Sequence, residues 1–476
     1  IDSLIYIMGN NDSIEIRVEI IEILNKIGDK SNKTFSILEN LLLSDSNQEI
    51  KELAATGLKA LFQEKALDPL RWVLDHEKSW QILMLIVLLI KEINSNDAKT
   101  VLIDKIKNFE KYKFNESLIN ILKNNEIQSF NTDALVEIIN NYIIINFFED
   151  IRNSVKYHLE DGNVVELDLS FILDYTYGWK VLKNLTEFLR VLKHLKRLEL
   201  QSNKLGKVPE SIFSLNYLKH LDLSHNNINQ LPNDFHGLKS LEFLNLRYNN
   251  LTEIPDSISS LRSLKSLDLK HNKLNSLPTS IGKLTSLNYL NLHGNQLKML
   301  PSTIGNLISL EELNLGLNNL ISVPSWIRKL RSLKKLGLGR NKKLSKFKEW
   351  FELLPSIMEL NLYDNNIKEL PESIGLLSSL EVLVMPNNHL TKLPESFKKL
   401  SSLRLLDLSW NDITDIPEWI GSLSSLEELN LRGNKLLKIP DSISSIQSLR
   451  ILNISLNKDF LQFPKDLEKK GVQIFK

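Results

Sequence analysis

A nine-residue pattern, L-x-x-L-x-L-x-x-N, recurs at a fixed spacing through the second half of this chain of 476 residues. Consecutive copies start 23 residues apart, except that the interval from Leu333 to Ile357 is 24. A constant period of this length permits few folds, because each copy must form the same small unit and stack on the next. The copies start at Leu195, Leu218, Leu241, Leu264, Leu287, Leu310, Leu333, Ile357, Leu380, Leu403, Leu426 and Leu449.

The apolar spacing within one copy predicts its local structure. In the unit that starts at Leu218, Leu221 and Leu223 alternate with polar residues, which is the period of a short strand with one buried face. Asn226 follows the strand, and a buried amide there is able to satisfy backbone groups that strand pairing does not reach. In most units a Pro six residues after the Asn fixes φ and starts a short helical turn on the opposite side.

One unit cannot bury its own apolar face, so we expect the copies to stack into a curved α/β solenoid with a parallel sheet on its concave face. The pattern is identified as the leucine-rich repeat. The units resemble the 23-residue LPxxI class of intracellular leucine-rich repeat proteins, as in LPNDFHGLKSLEFLNLRYNNLTEIPDSISSLRSL. That class includes the Ras-suppressor and Ras-binding scaffold proteins and the plant Ras-group-related proteins. The resemblance covers 195–476, and 164–194 loosely. It implies a horseshoe-shaped, non-enzymatic cytoplasmic scaffold whose concave face binds another protein, often a small GTPase or a phosphatase complex.

The first part of the chain has helical periodicity instead. The second helices of the predicted pairs start at about Thr34, Ala66 and Ala98, a spacing of 32 residues. This spacing resembles short HEAT-like helical repeats, and an irregular bundle is the alternative. Because the opening SLIYIMGN resembles the end of a second helix, we expect this domain to be truncated at its N-terminus.

Charge separates the two parts as well. Residues 1–150 hold 16 Lys and Arg against 24 Asp and Glu, whereas the rest of the chain holds 43 against 34. Opposite net charges favour separate domains. We predict an all-α HEAT-like domain over 1–152. Over 153–476 we predict a leucine-rich repeat domain with an N-terminal hairpin cap turning at Asp161-Gly162, one irregular repeat and twelve regular repeats.

Several classes of chemistry have no sequence signal. The chain lacks Cys, which excludes a disulfide scaffold and Cys-ligated zinc. It also lacks a phosphate-binding G-x-x-x-x-G-K-[ST] loop, H-E-x-x-H and G-x-S-x-G. The apolar run 80–90 is too short to span a bilayer, and a net charge of +1 argues against coating nucleic acid. We therefore expect no catalytic, cofactor or metal site, and neither a nucleic-acid nor a membrane partner.

The third, fifth, seventh and eighth positions of each unit are expected to face the concave side, so departures from consensus there are the candidate contacts. Aromatic residues and Arg, the usual hot-spot residues of interfaces, gather in the units from Leu241 to Leu287. Apolar residues gather toward the end of the array, where packing on a terminal cap is the alternative interpretation. The predicted partner-binding residues are Phe243, Arg247, Tyr248, His271, Tyr289, His293, Arg340, Tyr363, Val382, Leu405 and Trp410.

The middle of the array differs from both ends. Gly294, Gly316, Gly337 and Gly339 replace larger side chains on the expected concave face and predict a hollow there. Beside it, residues 328–348 hold ten basic residues and no acidic one. This segment predicts either a site for an acidic or phosphorylated partner or a solvated lysine-rich surface.

Two functions follow from these features. The first is a protein-interaction scaffold with two solenoid arms. The second is the substrate-recognition or regulatory arm of a larger enzyme whose catalytic domain lies upstream of Ile1, since the chain starts without Met. A bacterial surface protein or secreted effector is a weaker third interpretation.

Overall fold

The computed structural model describes most of the chain. The described residues are 1–109, 126–151, 155–174, 178–344, 351, 354, 356–457 and 462–476. The chain forms two compact units, one of 1–168 with 174–195 and the other of 169–173 with 196–476. The predicted domain boundary lies between residues 152 and 153. Compact packing alone does not show that each part is an independent domain, so this boundary stays a prediction.

The first unit is built of helices, and six of them start at a side-chain cap. Ser13 Oγ accepts the N–H of Ile16, and Asn47 Oδ1 accepts the N–H of Ile50. Such caps satisfy N–H groups that have no partner inside the helix. Equivalent caps are Ser31, Ser79, Ser95 and Asn131. The helices are α1 (Asp2–Gly9), α2 (Ile14–Ile27), α3 (Asn32–Ser44), α4 (Gln48–Phe62), α5 (Leu67–His76), α6 (Trp80–Ile93), α7 (Asn96–Phe109), α8 (Thr132–Ile151), α9 (Gly178–Lys183) and α10 (Leu185–Val191).

These helices pack in two rows. Helices α2, α4, α6 and α8 contact one another in order, and α3, α5 and α7 form the second row. The apolar run 80–90 lies in α6, where Trp80 packs against Phe188 of α10 with ring centroids 4.9 Å apart. Among the described residues, no helix is both long and apolar enough to cross a membrane. The all-α prediction is confirmed, whereas the HEAT-like class stays a prediction.

A hairpin follows these helices within the first unit. Strands β1 (Lys156–Glu160) and β2 (Asn163–Asp168) pair antiparallel. Asp161 and Gly162 between them have φ of +49° and +78°, as a type I′ turn requires. Asn141 of α8 fixes the start of β2, because its Oδ1 accepts the N–H of Val164 at 3.0 Å. The predicted turn is therefore present, and it is anchored on α8.

In the second unit each regular repeat contributes one three-residue strand to a parallel sheet. The core leucines lie in register, with Leu221 opposite Leu244 and Leu244 opposite Leu267. The strands are β3 (Arg197–Glu199), β4 (His220–Asp222), β5 (Phe243–Asn245), β6 (Ser266–Asp268), β7 (Tyr289–Asn291), β8 (Glu312–Asn314), β9 (Lys335–Gly337), β10 (Glu359–Asn361), β11 (Val382–Val384), β12 (Leu405–Asp407), β13 (Glu428–Asn430) and β14 (Ile451–Asn453). A further strand, β15 (Gln473–Phe475), pairs parallel with β14, and the repeat pattern does not predict it.

Short 3-10 helices form the side of the repeats opposite the sheet, which we call the turn side. In most repeats one follows the Pro directly, at Glu210–Ser214, Asp256–Ser260, Thr279–Lys283, Ser302–Asn306, Ser325–Lys329, Glu372–Leu376, Glu395–Lys399, Glu418–Ser422 and Asp441–Ser445. The chain ends with α11 (Asp466–Lys469) before β15. The predicted fold class, a leucine-rich repeat solenoid with an N-terminal helical region, is thereby confirmed.

The repeat asparagines join neighbouring repeats. Asn318 is buried, and its Nδ2 donates to the carbonyls of Leu292 and Leu315 at 2.9 and 3.0 Å. Its Oδ1 accepts the N–H of Leu297 at 3.0 Å. The predicted role of this Asn, satisfying backbone groups that the strands do not reach, is confirmed. The same arrangement recurs at Asn249, Asn272, Asn295, Asn388, Asn411 and Asn434.

We expect Asn318→Ala to destabilise the second unit by about 2 kcal/mol or more, because it leaves buried backbone groups unsatisfied. Urea unfolding followed by circular dichroism measures the change. Asn319→Ala is the matched control, since the exposed Asn319 side chain makes no hydrogen bond to a described residue. The control is expected to stay within about 0.5 kcal/mol of wild type. Equal effects of the two substitutions would contradict the role of Asn318.

Candidate protein-binding surface

The repeat geometry presents one set of side chains on the face of the sheet turned away from the leucine core. We call this set, at the third, fifth, seventh and eighth positions of each repeat, the open face. In β5, for example, Phe243 and Asn245 flank the buried Leu244 and project to the other side of the sheet. All predicted partner-binding residues belong to the open face by their position in the repeat. Their role in binding stays a prediction.

Several predicted ring residues contact a ring of a neighbouring repeat. Tyr248 stacks on His225 with ring centroids 4.4 Å apart and is tilted by 34° against His271 at 4.6 Å, and His271 meets the edge of His293 at 5.3 Å. Phe243 stacks on His220 at 4.1 Å with the rings 5° from parallel. His220 and His225 are additional members that the sequence interpretation omits. The sequence contains a signal for both, because each lies one repeat before a predicted ring residue at the same repeat position. His220 precedes Phe243 in this way, and His225 precedes Tyr248.

Tyr289 and Arg247 lie beside this stack. The hydroxyl of Tyr289 accepts a hydrogen bond from Asn291 Nδ2 at 3.0 Å. Arg247 is half-buried, and its Nε has no hydrogen-bond partner among the described residues. Burial raises the pKa of Asp268, and the nearby Arg247 guanidinium opposes that rise. This part of the open face therefore combines aromatic surface with an arginine whose Nε–H group donates no hydrogen bond to a described residue.

The eighth position has a backbone conformation that most residues avoid. Its φ is positive in all twelve repeats, and Tyr248 at +55° and Trp410 at +53° are examples. A residue other than Gly in this conformation costs about 1–3 kcal/mol. Gly294 and Gly433 hold the same position in other repeats. The backbone therefore favours Gly at the eighth position. A large aromatic side chain there needs favourable contacts that offset the cost of the backbone conformation.

Trp410 has such contacts on one side only. Its indole lies so close to Gly433 of the next repeat that a Cβ on Gly433 would approach Trp410 Cε3 to 2.7 Å. The guanidinium of Arg432 lies 5.9 Å from the ring centroid, within cation–π range. The side chain is nevertheless 48% exposed. Trp410 therefore presents one flat apolar face to solvent.

An apolar surface on neighbouring repeats accompanies Trp410. Val382 and Leu405 are register partners in β11 and β12, and both are partly exposed. Farther along the sheet, Leu456 is 57% exposed. Phe475 of β15 is register partner of Asn453 and is 44% exposed, so the unpredicted last strand extends the apolar surface.

The predicted hollow lies where the glycines cluster. It has a volume of about 260 Å³, and its lining includes Gly316, Gly337, Gly339, His293 and Tyr363. Gly294, the fourth predicted glycine, is not in this lining, because the His271 ring occupies the space beside it. This volume is below the usual range for small-molecule sites, which favours a single partner side chain over a cofactor.

Charged side chains stand around the hollow. Lys335 Nζ lies 2.7 Å from a carboxylate oxygen of Glu359, and burial raises the pKa of Glu312 beside them. The rim therefore combines a paired lysine with a carboxylate in a partly desolvated position.

The basic segment 328–348 is partly neutralised. Arg340 Nε donates to Asp364 at 2.8 Å, and Lys334 and Lys335 pair with glutamates of neighbouring repeats. The portion 345–348 lies outside the described residues. These exposed pairs contribute little to stability, but they reduce the positive charge on the sheet side. The acidic or phosphorylated partner stays a prediction.

Comparison with known families agrees with the repeat geometry. The family described as "Leucine-rich repeat region" matches residues 237–360 and 351–472, and the family described as "Leucine rich repeat" matches 193–251. Together these matches cover more than half of the chain. The chain therefore belongs to the leucine-rich repeat proteins. No curated protein sequence matches it.

Several solved structures are similar to this chain. A leucine-rich repeat protein of Leptospira interrogans is 31% identical, with 60% of this chain and 86% of that chain covered and a TM-score of 0.47. The PEPR1–AtPEP1 structure is 28% identical, with coverage of 67% and 49% and a TM-score of 0.53, so the match spans about half of that chain. An internalin of Listeria monocytogenes is 22% identical, with coverage of 61% and 88% and a TM-score of 0.48.

Protonation is expected to weaken the aromatic stack. Burial, followed by the charge of Lys270, lowers the pKa of His271 and His293 below the ordinary value of 6.5. The unfolded chain therefore takes up these protons at higher pH than the folded chain does. The resulting stabilisation is present above about pH 6.5 and is lost as the pH falls through the folded-state pKa.

Thermal unfolding of wild type and of the His271→Gln/His293→Gln double variant between pH 7.5 and 5.5 tests this expectation. The wild-type midpoint should fall more steeply with decreasing pH than that of the variant. Parallel pH profiles would contradict the proposed link between these two imidazoles and stability.

Proposed function

We propose that this protein binds a partner protein through the open face of its leucine-rich repeats and that this segment acts without catalysis. The observation that carries the proposal is Trp410, a half-exposed indole held in a backbone conformation that favours Gly. Trp and Tyr residues near the centre of an interface are among its usual hot spots. Gly433 and Arg432 of the next repeat hold this ring in place, while about half of its surface is left open to a partner.

The two surfaces of the open face suit different parts of one interface. The stack around Tyr248 offers rigid aromatic area with polar atoms at its edges, which suits a specific and partly polar contact. The surface of Val382, Leu405 and Trp410 offers apolar area that is left exposed without a partner. The hollow between them admits one protruding side chain.

The family supports this general role, since leucine-rich repeat proteins are in general protein-interaction scaffolds. The PEPR1–AtPEP1 structure is consistent with this role, since its fold is similar to that of this chain with a TM-score of 0.53. We further propose the 23-residue LPxxI class, a cytoplasmic location, and a small GTPase or its regulator as partner. The LPxxI units and the resemblance to Ras-binding scaffolds support these finer assignments. We also propose that the N-terminal helical unit is HEAT-like, which its two helix rows support.

The alternative assigns this chain to the recognition arm of a larger enzyme. The full-length gene separates the two functions. A GTPase, kinase or ligase domain encoded before Ile1 supports the enzyme, whereas further helical repeats there support the scaffold.

Affinity capture with the intact chain tests the proposal. The chain is immobilised, and captured proteins are identified with and without a non-hydrolysable GTP analogue in the lysate. Trp410→Ala should weaken retention of a genuine partner about thirty-fold, since hot-spot residues contribute about 2 kcal/mol or more. The Tyr248→Ala/Tyr289→Ala double variant should weaken it by a similar factor. A small GTPase is expected to be retained more strongly with the analogue.

Trp72→Ala is the matched control, because Trp72 on α5 is 47% exposed, as Trp410 is, but lies off the open face. Circular dichroism must show unchanged folding in every variant. Capture that is equally strong for wild type, Trp410→Ala and the double tyrosine variant would remove the open face as the binding surface.

A further inference from the structure

A second candidate surface lies on the turn side, away from the open face. A cleft of about 1030 Å³ runs along four consecutive repeats, from His236 to Asn306, and 3-10 helices of three of these repeats contribute to its lining. The first of the four repeats is irregular. No 3-10 helix follows Pro232 in the described chain, although the preceding and following repeats each have one. The chain passes instead so close to Phe213 that a Cβ on Gly237 would lie 1.6 Å from the Phe213 carbonyl oxygen.

The side chains that line this cleft are mainly cationic and polar. Lys239, Arg262 and Lys283 come from three consecutive repeats, and all three are exposed. None of them forms an ion pair with a described residue. Asp256 is the carboxylate in the lining, and His236 is paired with Asp234 outside it. The cleft therefore has an excess of positive charge that the protein itself does not balance.

Two other lysines of the same repeats are paired, whereas Lys273 and Lys298 are exposed and form no ion pair with a described residue. Lys219 and Lys265 both lie near the carboxylate of Glu242, and Lys265 Nζ is 2.6 Å from it. On the sheet side, basic residues thus alternate with acidic ones along the array. The cleft differs from the rest of these repeats in its arrangement, since three unpaired cations of consecutive repeats line one cleft.

The positive surface continues beyond the cleft. The side chain of Lys329 lies against Gly305, next to Asn306 at the end of the cleft. Arg328, Lys329 and Arg331 are exposed and have no ion pair with a described residue. Arg328, Lys329 and Arg331 therefore add unpaired positive charge on the turn side. Together the two groups form an elongated basic track, which suits an extended chain better than a compact ligand.

We propose that this track binds an acidic segment of a partner protein and that the cleft receives a phosphorylated serine or threonine of that segment. A phosphate carries close to two negative charges and three strong acceptor oxygens, so it can engage cations from adjacent repeats at once. The guanidinium of Arg262 suits a two-pronged contact with phosphate, and Lys239 and Lys283 add point charges. The site is separate from the open face and does not depend on the function proposed for it.

Fluorescence anisotropy with labelled peptides tests the proposal. The probe is Glu-Asp-Glu-phosphoserine-Glu-Asp-Glu, and its comparison is the same peptide with unmodified serine. Wild type should bind the phosphopeptide at least ten-fold more tightly than the serine peptide. The affinity should fall with rising salt, because exposed charges are screened. The Lys239→Ala/Arg262→Ala/Lys283→Ala variant should lose at least ten-fold in affinity, and Arg262→Ala alone should lose part of that.

The matched control removes three other exposed lysines, Lys207, Lys368 and Lys392, and so makes the same change in net charge. The control and Trp410→Ala should bind the phosphopeptide as wild type does. Equal loss in the control would reduce the effect to net charge and overturn the assigned cleft. Absence of phosphopeptide binding, or equal binding of the serine peptide, would overturn the phosphate site.

Two further arms separate the sources of phosphate. Inorganic phosphate is expected to compete only at concentrations far above those of the phosphopeptide. Vesicles of phosphatidylcholine with 5% phosphatidylinositol bisphosphate are expected to bind wild type no better than the triple variant. Competition by inorganic phosphate at equal concentration, or vesicle binding that depends on the three cations, would overturn a protein segment as the ligand.

Discussion

The hydrogen bonds of the repeat asparagines are the constraint on which the second unit depends. Each buried amide donates to carbonyls of its own and the preceding repeat and accepts an N–H group of the preceding one, as at Asn318. A three-residue strand pairs too few backbone groups to satisfy the long connections that follow it. The asparagine completes this pairing in the interior, where an unsatisfied group costs most. Each repeat therefore requires its neighbour, and stability grows along the array.

This interior ladder leaves the surfaces of the repeat free to vary. Packing in the interior constrains which residue types fit at Leu221 and Asn226. It does not constrain the residue types at His220 and His225, which lie beside them on the open face. The second position of each repeat illustrates the freedom at the sheet edge. There Arg404 pairs with Glu427 at 3.0 Å, as lysines and glutamates do in other repeats, and these exposed pairs add little stability. Arg262 has no such ion pair with a described residue, so its charge is available to the acidic segment proposed above.

The sequence predicts the repeat unit well because its period fixes both register and burial. Every predicted strand start follows from the leucine spacing, and the hairpin at Asp161-Gly162 follows from turn chemistry. Strand β15 is missed because Gln473–Phe475 lacks the leucine pattern and gains its pairing from β14 alone. The ion pair of Arg340 with Asp364 is also missed, because the additional residue between their repeats obscures which positions are adjacent.

The candidate surfaces were less predictable than the fold, and the reason is physical. The ring contacts join side chains of adjacent repeats. The contacts of Tyr248 with His225 and His271 therefore follow from the three-dimensional structure and not from the pattern within one repeat. The cleft on the turn side includes a repeat that lacks a 3-10 helix, a local difference near Gly237 that the regular Pro232 conceals.

Both surfaces nevertheless rest on the same leucine core, which lies between them and is packed in every repeat. Substitutions on one surface therefore share no contacts with the other, and their effects should add. A solenoid of this kind is able to recognise two features of one partner independently, an apolar face by the sheet side and a charged segment by the turn side.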